Sequence, residues 1–203
     1  MTDAPAVSPS DLRREGMERY ITEHAFALMR DTPDAPFSHE AVASAAGISA
    51  RTAYRYFPTQ KDLVGAVWRH LRDLTGTRWP MAEAEILPML RELFAQFERN
   101  ASLTRAVIAA SPRANISEHG SVEGRAAFRA ALAAPLQRMS AEAGDQLVAT
   151  CVAIYSAPFW QMLRDRGQLS GDAAADAVCT TMSAVLSAAV SNAIRPDAPR
   201  ADA

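Results

Sequence analysis

One glycine between two short helical segments constrains the fold of this chain more than any other feature. The stretch VASAAGISARTAYRYF, residues 42–57, places Ala43 four residues before Gly47. A glycine readily takes the positive φ that a tight turn needs, and a small residue at position 43 lets two helices cross closely. Val42 and Ile48 are the apolar residues that would hold the two helices together. The spacing predicts a helix-turn-helix unit.

The rest of the chain shows helical periodicity as well. No stretch has sustained alternation of apolar and polar residues, and proline falls mostly between the periodic segments. The sequence therefore predicts an all-α fold. The predicted helices cover residues 10–30, 39–46, 50–57, 60–71, 81–100, 103–110, 122–139, 141–166 and 172–194.

The helices lengthen after about residue 75, which predicts a domain boundary there. We expect residues 10–74 to form a helix-turn-helix domain and residues 75–196 a C-terminal helical domain. Residues 1–9 and 197–203 carry the composition of a flexible arm and tail.

Composition and motifs exclude several classes of function. No run approaches the roughly 18 apolar residues of a membrane span, and the N-terminal residues do not resemble a secretory signal, so we expect a cytoplasmic protein. His39 and Glu40 begin like the zinc motif H-E-x-x-H, but residue 43 is alanine. The four histidines form no ligand pattern, and no phosphate-binding glycine loop occurs. We expect no metal, no cofactor and no enzymatic activity.

Charge is concentrated in one place although the net charge of the 203 residues is only −2. Between Ala41 and Arg72 there are five basic residues and a single acid, a local charge of +4. The outer face of the second helix of a helix-turn-helix can enter the major groove of DNA, where arginine reads guanine edges. Tyrosine and threonine hydroxyls and helix N-termini can hold phosphates. The candidate DNA-binding residues are Ser38, Ser49, Ala50, Arg51, Thr52, Tyr54, Arg55, Tyr56, Thr59 and Lys61.

This N-terminal part resembles the DNA-binding domain of the TetR family of bacterial transcriptional regulators. The matching residues are Ile21, Ala25, Leu28, Val42, Ala43, Ala46 to Ser49, Thr52 to Pro58 and Lys61 to Leu63. The resemblance implies a homodimeric, all-helical, repressor-like protein that binds an operator in double-stranded DNA and has a small-molecule pocket in its C-terminal domain. It also implies that Tyr54 and Lys61 contact phosphates and that Thr52 lies on the recognition helix.

The C-terminal domain contains a helix with one face of small side chains. These are Ala177, Thr181, Ala184, Ala188 and Ser191, and Val178, Met182, Val185 and Ala189 line the adjacent face. Small residues let another helix approach closely, and in the family the last two helices form the dimer interface. We therefore expect a homodimer through the last two helices, with Leu147, Cys151, Ile154 and Tyr155 contributing. The alternative is that the small-residue face packs within one subunit.

Pro135 and Pro158 fall inside predicted helices, and proline there kinks a helix. Such kinks beside aromatic side chains would leave a gap for a ligand. The alternative, which is favoured for any single one of these residues, is that it is ordinary core. The candidate effector pocket is Phe94, Phe97, Phe128, Met139, Tyr155, Phe159 and Trp160. Because no charged residue is evident on an apolar face, we expect an apolar or aromatic effector. The alternatives are a helical interaction protein and a DNA-binding regulator controlled by a protein partner.

Overall fold

A computed structural model of the protein describes residues 8–110 and 118–193. Within these ranges the backbone forms eleven α-helices and no strand, which confirms the all-α prediction. The predicted tail at residues 197–203 lies outside the described residues, as does the predicted arm except for Ser8 and Pro9. None of the described helices is long and apolar enough to cross a membrane.

The described helices follow one another in a simple order. They are α1 (Pro9–Asp31), α2 (His39–Ala45), α3 (Ala50–Tyr56), α4 (Gln60–Thr75), α5 (Glu83–Arg99), α6 (Ala101–Ala110), α7 (Glu118–Ala131), α8 (Ala133–Leu136), α9 (Ala141–Ile154), α10 (Ala157–Asp165) and α11 (Gly171–Ala193). The chain divides into two compact units. The first unit is Met1–Gly76 with Ser102–Ile116, and the second is Thr77–Ala101 with Ser117–Ala203.

The first unit has a hydrophobic core supplied by α1, α2, α4 and α6. In α1, Ile21, Ala25 and Met29 recur every four residues and are buried on one face. The sequence predicts residues 103–110 as a helix of the C-terminal domain, whereas Leu103 and Val107 of α6 are buried in the core of the first unit. The core of the first unit is therefore completed by residues that follow α5, the first helix of the second unit, in the sequence.

Side-chain caps fix where α1, α2, α3 and α4 begin. A hydroxyl at each N-cap accepts a hydrogen bond from the backbone N–H three residues later, which satisfies a donor that the helix cannot use itself. The four pairs are Ser8 with Asp11, Ser38 with Ala41, Ser49 with Thr52, and Thr59 with Asp62. These caps define the two short helices, α2 and α3, and the turn between them.

The second unit corrects the prediction of one long helix over residues 141–166. Helix α9 ends at Ile154, and Ser156 begins α10 by accepting a hydrogen bond from the Phe159 backbone N–H at 3.3 Å. Pro158 lies in the first turn of α10, where its missing N–H would have had no partner within the helix. This proline helps to start a helix and does not kink one.

The predicted helix over residues 122–139 is also interrupted. Helix α7 ends at Ala131, Leu132 separates it from the four-residue α8, and Pro135 is buried within α8. The break lies three residues before Pro135, in the turn where the proline cannot donate a hydrogen bond to the Ala131 carbonyl, so the helix is interrupted where a kink was expected.

Candidate nucleic-acid interface

The turn between α2 and α3 has the geometry that its sequence predicts. Ala43 is 2% exposed, and its carbonyl oxygen accepts a hydrogen bond from the Ile48 backbone N–H at 3.0 Å. Gly47 has φ of +65°, in the left-handed region that glycine adopts without strain. Val42 is fully buried and Ile48 packs against the core of the first unit.

We expect replacement of Gly47 by valine to lower the free energy of unfolding by about 1–2 kcal/mol, the cost of placing a branched residue at this φ. A Cβ added at Gly47 would meet no atom within 4 Å, so the cost is one of backbone conformation alone. Asparagine, which tolerates this region better, should cost less. Urea denaturation measures all three proteins.

Gly65 provides the matched control because it lies inside α4 with an ordinary helical backbone. A Cβ added there would meet only the Arg69 guanidinium at 3.5 Å, an ordinary contact. Gly65→Ala should therefore stabilise the domain by about 0.5–1 kcal/mol. If Gly47→Val and Gly65→Ala lowered the free energy of unfolding by the same amount, the assignment of the turn would be contradicted.

Helix α3 presents one face to the core and the opposite face to solvent. Ala53 is fully buried, whereas Arg51, Tyr54 and Arg55 are exposed. The other candidate residues of this helix, Ala50, Thr52 and Tyr56, are half-buried.

Tyr56 belongs partly to the core and partly to the exposed basic surface. Its ring packs against the hydrophobic core of the first unit. The Arg55 guanidinium lies over the same ring, with Cζ 5.0 Å from the ring centroid. This contact orients one arginine of the exposed face.

The predicted phosphate-binding hydroxyls are engaged in helix capping. Ser38 and Ser49 accept hydrogen bonds from the backbone N–H groups at the start of α2 and α3, and Ser49 also shares a 2.9 Å hydrogen bond with the Thr52 hydroxyl. The Thr59 hydroxyl and backbone N–H both donate to the Asp62 carboxylate, at 2.7 and 3.0 Å. Lys61 stands in the first turn of α4 and is half-buried.

Two residues in contact with Tyr54, the buried His39 and the exposed Glu40, were not among the candidates from the sequence. The His39 ring stacks on the Tyr54 ring with centroids 4.0 Å apart and planes at 12°. The Tyr54 hydroxyl donates to Glu40 Oε1 at 3.2 Å. In the sequence, His39 and Glu40 only begin a zinc motif that residue 43 does not continue, and nothing in their spacing links them to Tyr54 before the two helices are placed together.

Glu40 carries a full negative charge at neutral pH. Its own backbone N–H, the Ser38 hydroxyl and the Tyr54 hydroxyl hold the pKa of this carboxyl below its usual value. The hydrogen bond to Glu40 in turn raises the pKa of the Tyr54 hydroxyl, which therefore stays a proton donor. The surface thus has an acid within hydrogen-bonding distance of a candidate DNA contact.

Ring contacts in the second unit divide the pocket candidates into two aromatic groups. The ring centroid of Phe97 lies 6.0 Å from those of both Phe94 and Trp160. The ring centroids of Phe128 and Tyr155 lie 5.6 Å apart. All five side chains are buried, while Phe159 and Met139 are half-buried.

Trp79, which lies outside the predicted helices, completes the second aromatic group. Its ring centroid lies 5.3 Å from that of Tyr155 and 6.3 Å from that of Phe128. A Cβ at Gly124 would come within 2.8 Å of the indole, so the absence of a side chain there makes room for the ring. A tryptophan beside Pro80, outside any predicted helix, was the available signal that this segment is packed.

An ion pair beside Trp160 corrects the expectation that the helices of this unit carry no charge on an apolar face. Arg164 Nη2 donates to Glu98 Oε1 at 3.0 Å, and Trp160 Nε1 donates to Glu98 Oε2 at 3.2 Å. The two charged side chains are 26% and 35% exposed. Their spacing was the missed signal, since Glu98 follows Phe94 by four residues and Arg164 follows Trp160 by four.

The small-residue face of α11 points away from the core of the second unit. Thr181, Ala184 and Ala188 are exposed and Ala177 is half-buried. The adjacent face packs inside the subunit, with Val178 and Met182 fully buried. Ser191 lies among the residues whose side chains the structure does not describe.

The expected contribution of α9 to a dimer interface is corrected by the burial of its apolar residues. Leu147, Cys151, Ile154 and Tyr155 are at most 7% exposed within the single subunit. They complete the core of the second unit and leave no surface for a partner.

A capped pair of short helices, joined by a glycine turn and seated on two longer helices, defines a helix-turn-helix domain. Comparison with known proteins gives the family. The model of "Bacterial regulatory proteins, tetR family" matches residues 21–67. The match confirms the resemblance of the motifs to this family within the N-terminal helix-turn-helix domain.

The similarity to a curated protein is confined to the same region. The "HTH-type transcriptional repressor LfrR" of Mycolicibacterium smegmatis is 37% identical over 63 residues, which are 31% of this chain and 32% of the relative. The chain thus matches about a third of the length of that relative. No solved structure matches the chain.

Proposed function

We propose that the protein is a DNA-binding transcriptional regulator that represses genes as a cytoplasmic homodimer on a palindromic operator. The observation that carries this proposal is the solvent-exposed face of α3, on which Arg51, Tyr54 and Arg55 stand together. The surrounding segment has a charge of +4 in a protein of net charge −2. The relative that is similar in this domain is named a repressor.

Each side chain of this face has a role in the proposal. Arg51 and Arg55 reach base edges in the major groove. The Tyr54 hydroxyl and the Lys61 ammonium hold phosphates, which position the domain without reading sequence. Ser38, Ser49, Ala50, Thr52, Tyr56 and Thr59 border the same surface.

Fluorescence anisotropy with labelled DNA from the regions flanking the gene for this protein tests the proposal. We expect tight binding that falls steeply with salt, because each neutralised phosphate contributes a slope of about −0.9 in log K against log salt. Lys61→Ala should weaken binding to all sequences and reduce that slope by about one. Arg51→Ala should weaken binding to the specific site more than binding to random DNA.

Arg129→Ala is the matched control because this exposed arginine lies in the second unit and pairs with Asp145. Its affinity and salt slope should equal those of the wild type. If the folded wild type binds neither the flanking DNA nor random genomic fragments at low salt, DNA binding is wrong. A helical interaction protein would then be the better description.

We expect Glu40→Gln to tighten DNA binding about threefold at low salt. The carboxylate holds the Tyr54 hydroxyl and carries a charge that repels phosphate, and two like charges roughly 6 Å apart in water cost about 0.7 kcal/mol. The gain should shrink as salt screens the repulsion. Glu92→Gln, in the second unit, should not change the affinity, and a weaker Glu40→Gln complex would mean that the acid supports the interface.

We further propose that a small apolar or aromatic effector releases the protein from DNA by binding the second unit. The two aromatic groups of this unit support the proposal. The Glu98–Arg164 pair does not call for a charged effector, because the two charges satisfy each other. An effector that binds one arrangement of the dimer better shifts the population away from the DNA-binding arrangement. A panel of hydrophobic and aromatic compounds should include one that dissociates the labelled DNA complex, and a panel with no effect would favour control by a protein partner.

A further inference from the structure

His39 is buried at the point where the two short helices meet. Its side chain is 4% exposed, although histidine is a polar residue and the position lies at the first residue of α2. The face of its ring lies against the Tyr54 ring, at a centroid distance of 4.0 Å. Tyr54 itself is 44% exposed, so its ring is supported from inside and open outside.

A hydrogen bond fixes the orientation of the His39 ring. Nε2 lies 2.7 Å from the carbonyl oxygen of Phe57, the C-cap residue that follows α3. Because a carbonyl oxygen only accepts, Nε2 carries the hydrogen and donates it. The imidazole thus joins the start of α2 to the end of α3, and its plane is set by the backbone.

Support of this kind matters for a tyrosine that must hold a phosphate. A free tyrosine side chain loses rotamer freedom when its hydroxyl is fixed on a ligand, and an already ordered ring loses less. A flat, hydrogen-bonded imidazole under the ring orders Tyr54 before any contact is made. An aliphatic residue would fill the same space without imposing an orientation on the ring.

We propose that His39 is a positioning residue for DNA binding, which holds the Tyr54 ring on the exposed face so that its hydroxyl, which donates to Glu40 in the unbound protein, can donate to a phosphate. The proposal rests on the proposed DNA-binding function of α3. It separates two roles of one side chain: the ring of His39 sets DNA affinity through Tyr54, and its hydrogen bond to Phe57 supports the stability of the domain.

Two variants separate these roles in anisotropy measurements on the operator DNA that the wild type binds. His39→Gln keeps an N–H donor and lacks the ring, and we expect a five- to tenfold loss of affinity. His39→Phe keeps a flat ring and lacks the donor, so it should bind within about twofold of the wild type with a lower urea midpoint. His39→Leu, which is also ringless, replaces His39→Gln if that variant does not fold.

A double-mutant cycle shows whether His39 acts through Tyr54. In a Tyr54→Phe background, where the hydroxyl is already absent, His39→Gln should cost no further affinity. A cost equal to that in the wild-type background would overturn the proposal, as would wild-type affinity of His39→Gln itself. If the folded wild type binds no DNA, the proposed function fails first and this inference fails with it.

His24 is the matched control within the same unit. Its ring lies 4.3 Å from that of Tyr20, and its Nδ1 lies 2.8 Å from the Tyr20 carbonyl oxygen. The Tyr20 hydroxyl, however, is committed to the Ala46 carbonyl oxygen at 2.9 Å and does not take part in the exposed face of α3. His24→Gln should therefore leave the operator affinity unchanged.

Discussion

Replacement of Ala184 by arginine should convert the protein from a dimer to a monomer and weaken operator binding by about 100-fold. Ala184 is exposed in the single subunit, between the exposed Thr181 and Ala188, so the substitution leaves the fold of the subunit unchanged. Where two copies of α11 pack closely through small side chains, an arginine cannot be accommodated. A monomer binds only one half-site, and it loses the second contact, which the dimer makes at roughly millimolar effective concentration.

Light scattering coupled to size exclusion gives the oligomeric state, and anisotropy gives the affinity of the same samples. Ser183→Arg is the control because Ser183 is exposed on the same helix and lies about 100° around it. It should remain dimeric and bind with wild-type affinity. A dimeric Ala184→Arg protein would show that the copies associate through another surface, and a wild-type monomer would contradict dimerisation altogether.

Replacement of Trp160 by alanine should lower the free energy of unfolding by about 3–5 kcal/mol, the range found when a large buried aromatic is removed. Trp160 is fully buried, packs against Phe97 and donates its indole N–H to Glu98. At about 2–4 °C per kcal/mol for a chain of this length, the melting temperature should fall by roughly 10 °C. Calorimetry of the wild type and the variant measures both quantities.

Two further variants separate the contributions of Trp160. Trp160→Phe keeps most of the apolar volume and removes the donor to Glu98, so it should lose about 1–3 kcal/mol. Met162→Ala alters a side chain on the same helix that is 49% exposed and should stay within about 0.5 kcal/mol of the wild type. Equal losses for Trp160→Ala and Met162→Ala would mean that the aromatic group does not contribute to the core.

The helix-turn-helix was predictable because its signals are local. The serine N-cap of α3 and the positive φ of Gly47 each set the backbone conformation of the few residues around them. The same locality explains why the start of α4 at Thr59 was found from the sequence. The tetR family motifs fall in this segment, so resemblance and local physics agreed.

The second unit was less predictable because its helices are arranged by long-range packing. Periodicity shows that Leu147 and Cys151 share an apolar face, but it does not show whether that face packs inside the subunit or against a copy. Pro158 would kink a helix if it lay in the helix interior, but it helps to start a helix from the first turn. Only the break after Ile154 shows that the second case applies. The candidate DNA-binding surface was only partly predictable for the same reason, since the contact between Glu40 and Tyr54 joins two different helices.

The return of the chain to the first unit at α6 has a consequence for protein synthesis. Leu103 and Val107 are core residues of the first unit, yet all of α5 is translated before them. A nascent chain ending at Gly76 therefore has the complete helix-turn-helix sequence and an unfinished hydrophobic core beneath it. Folding of the first unit should be completed on the ribosome only after residue 110 has left the exit tunnel, by which time the first helix of the second unit is already outside.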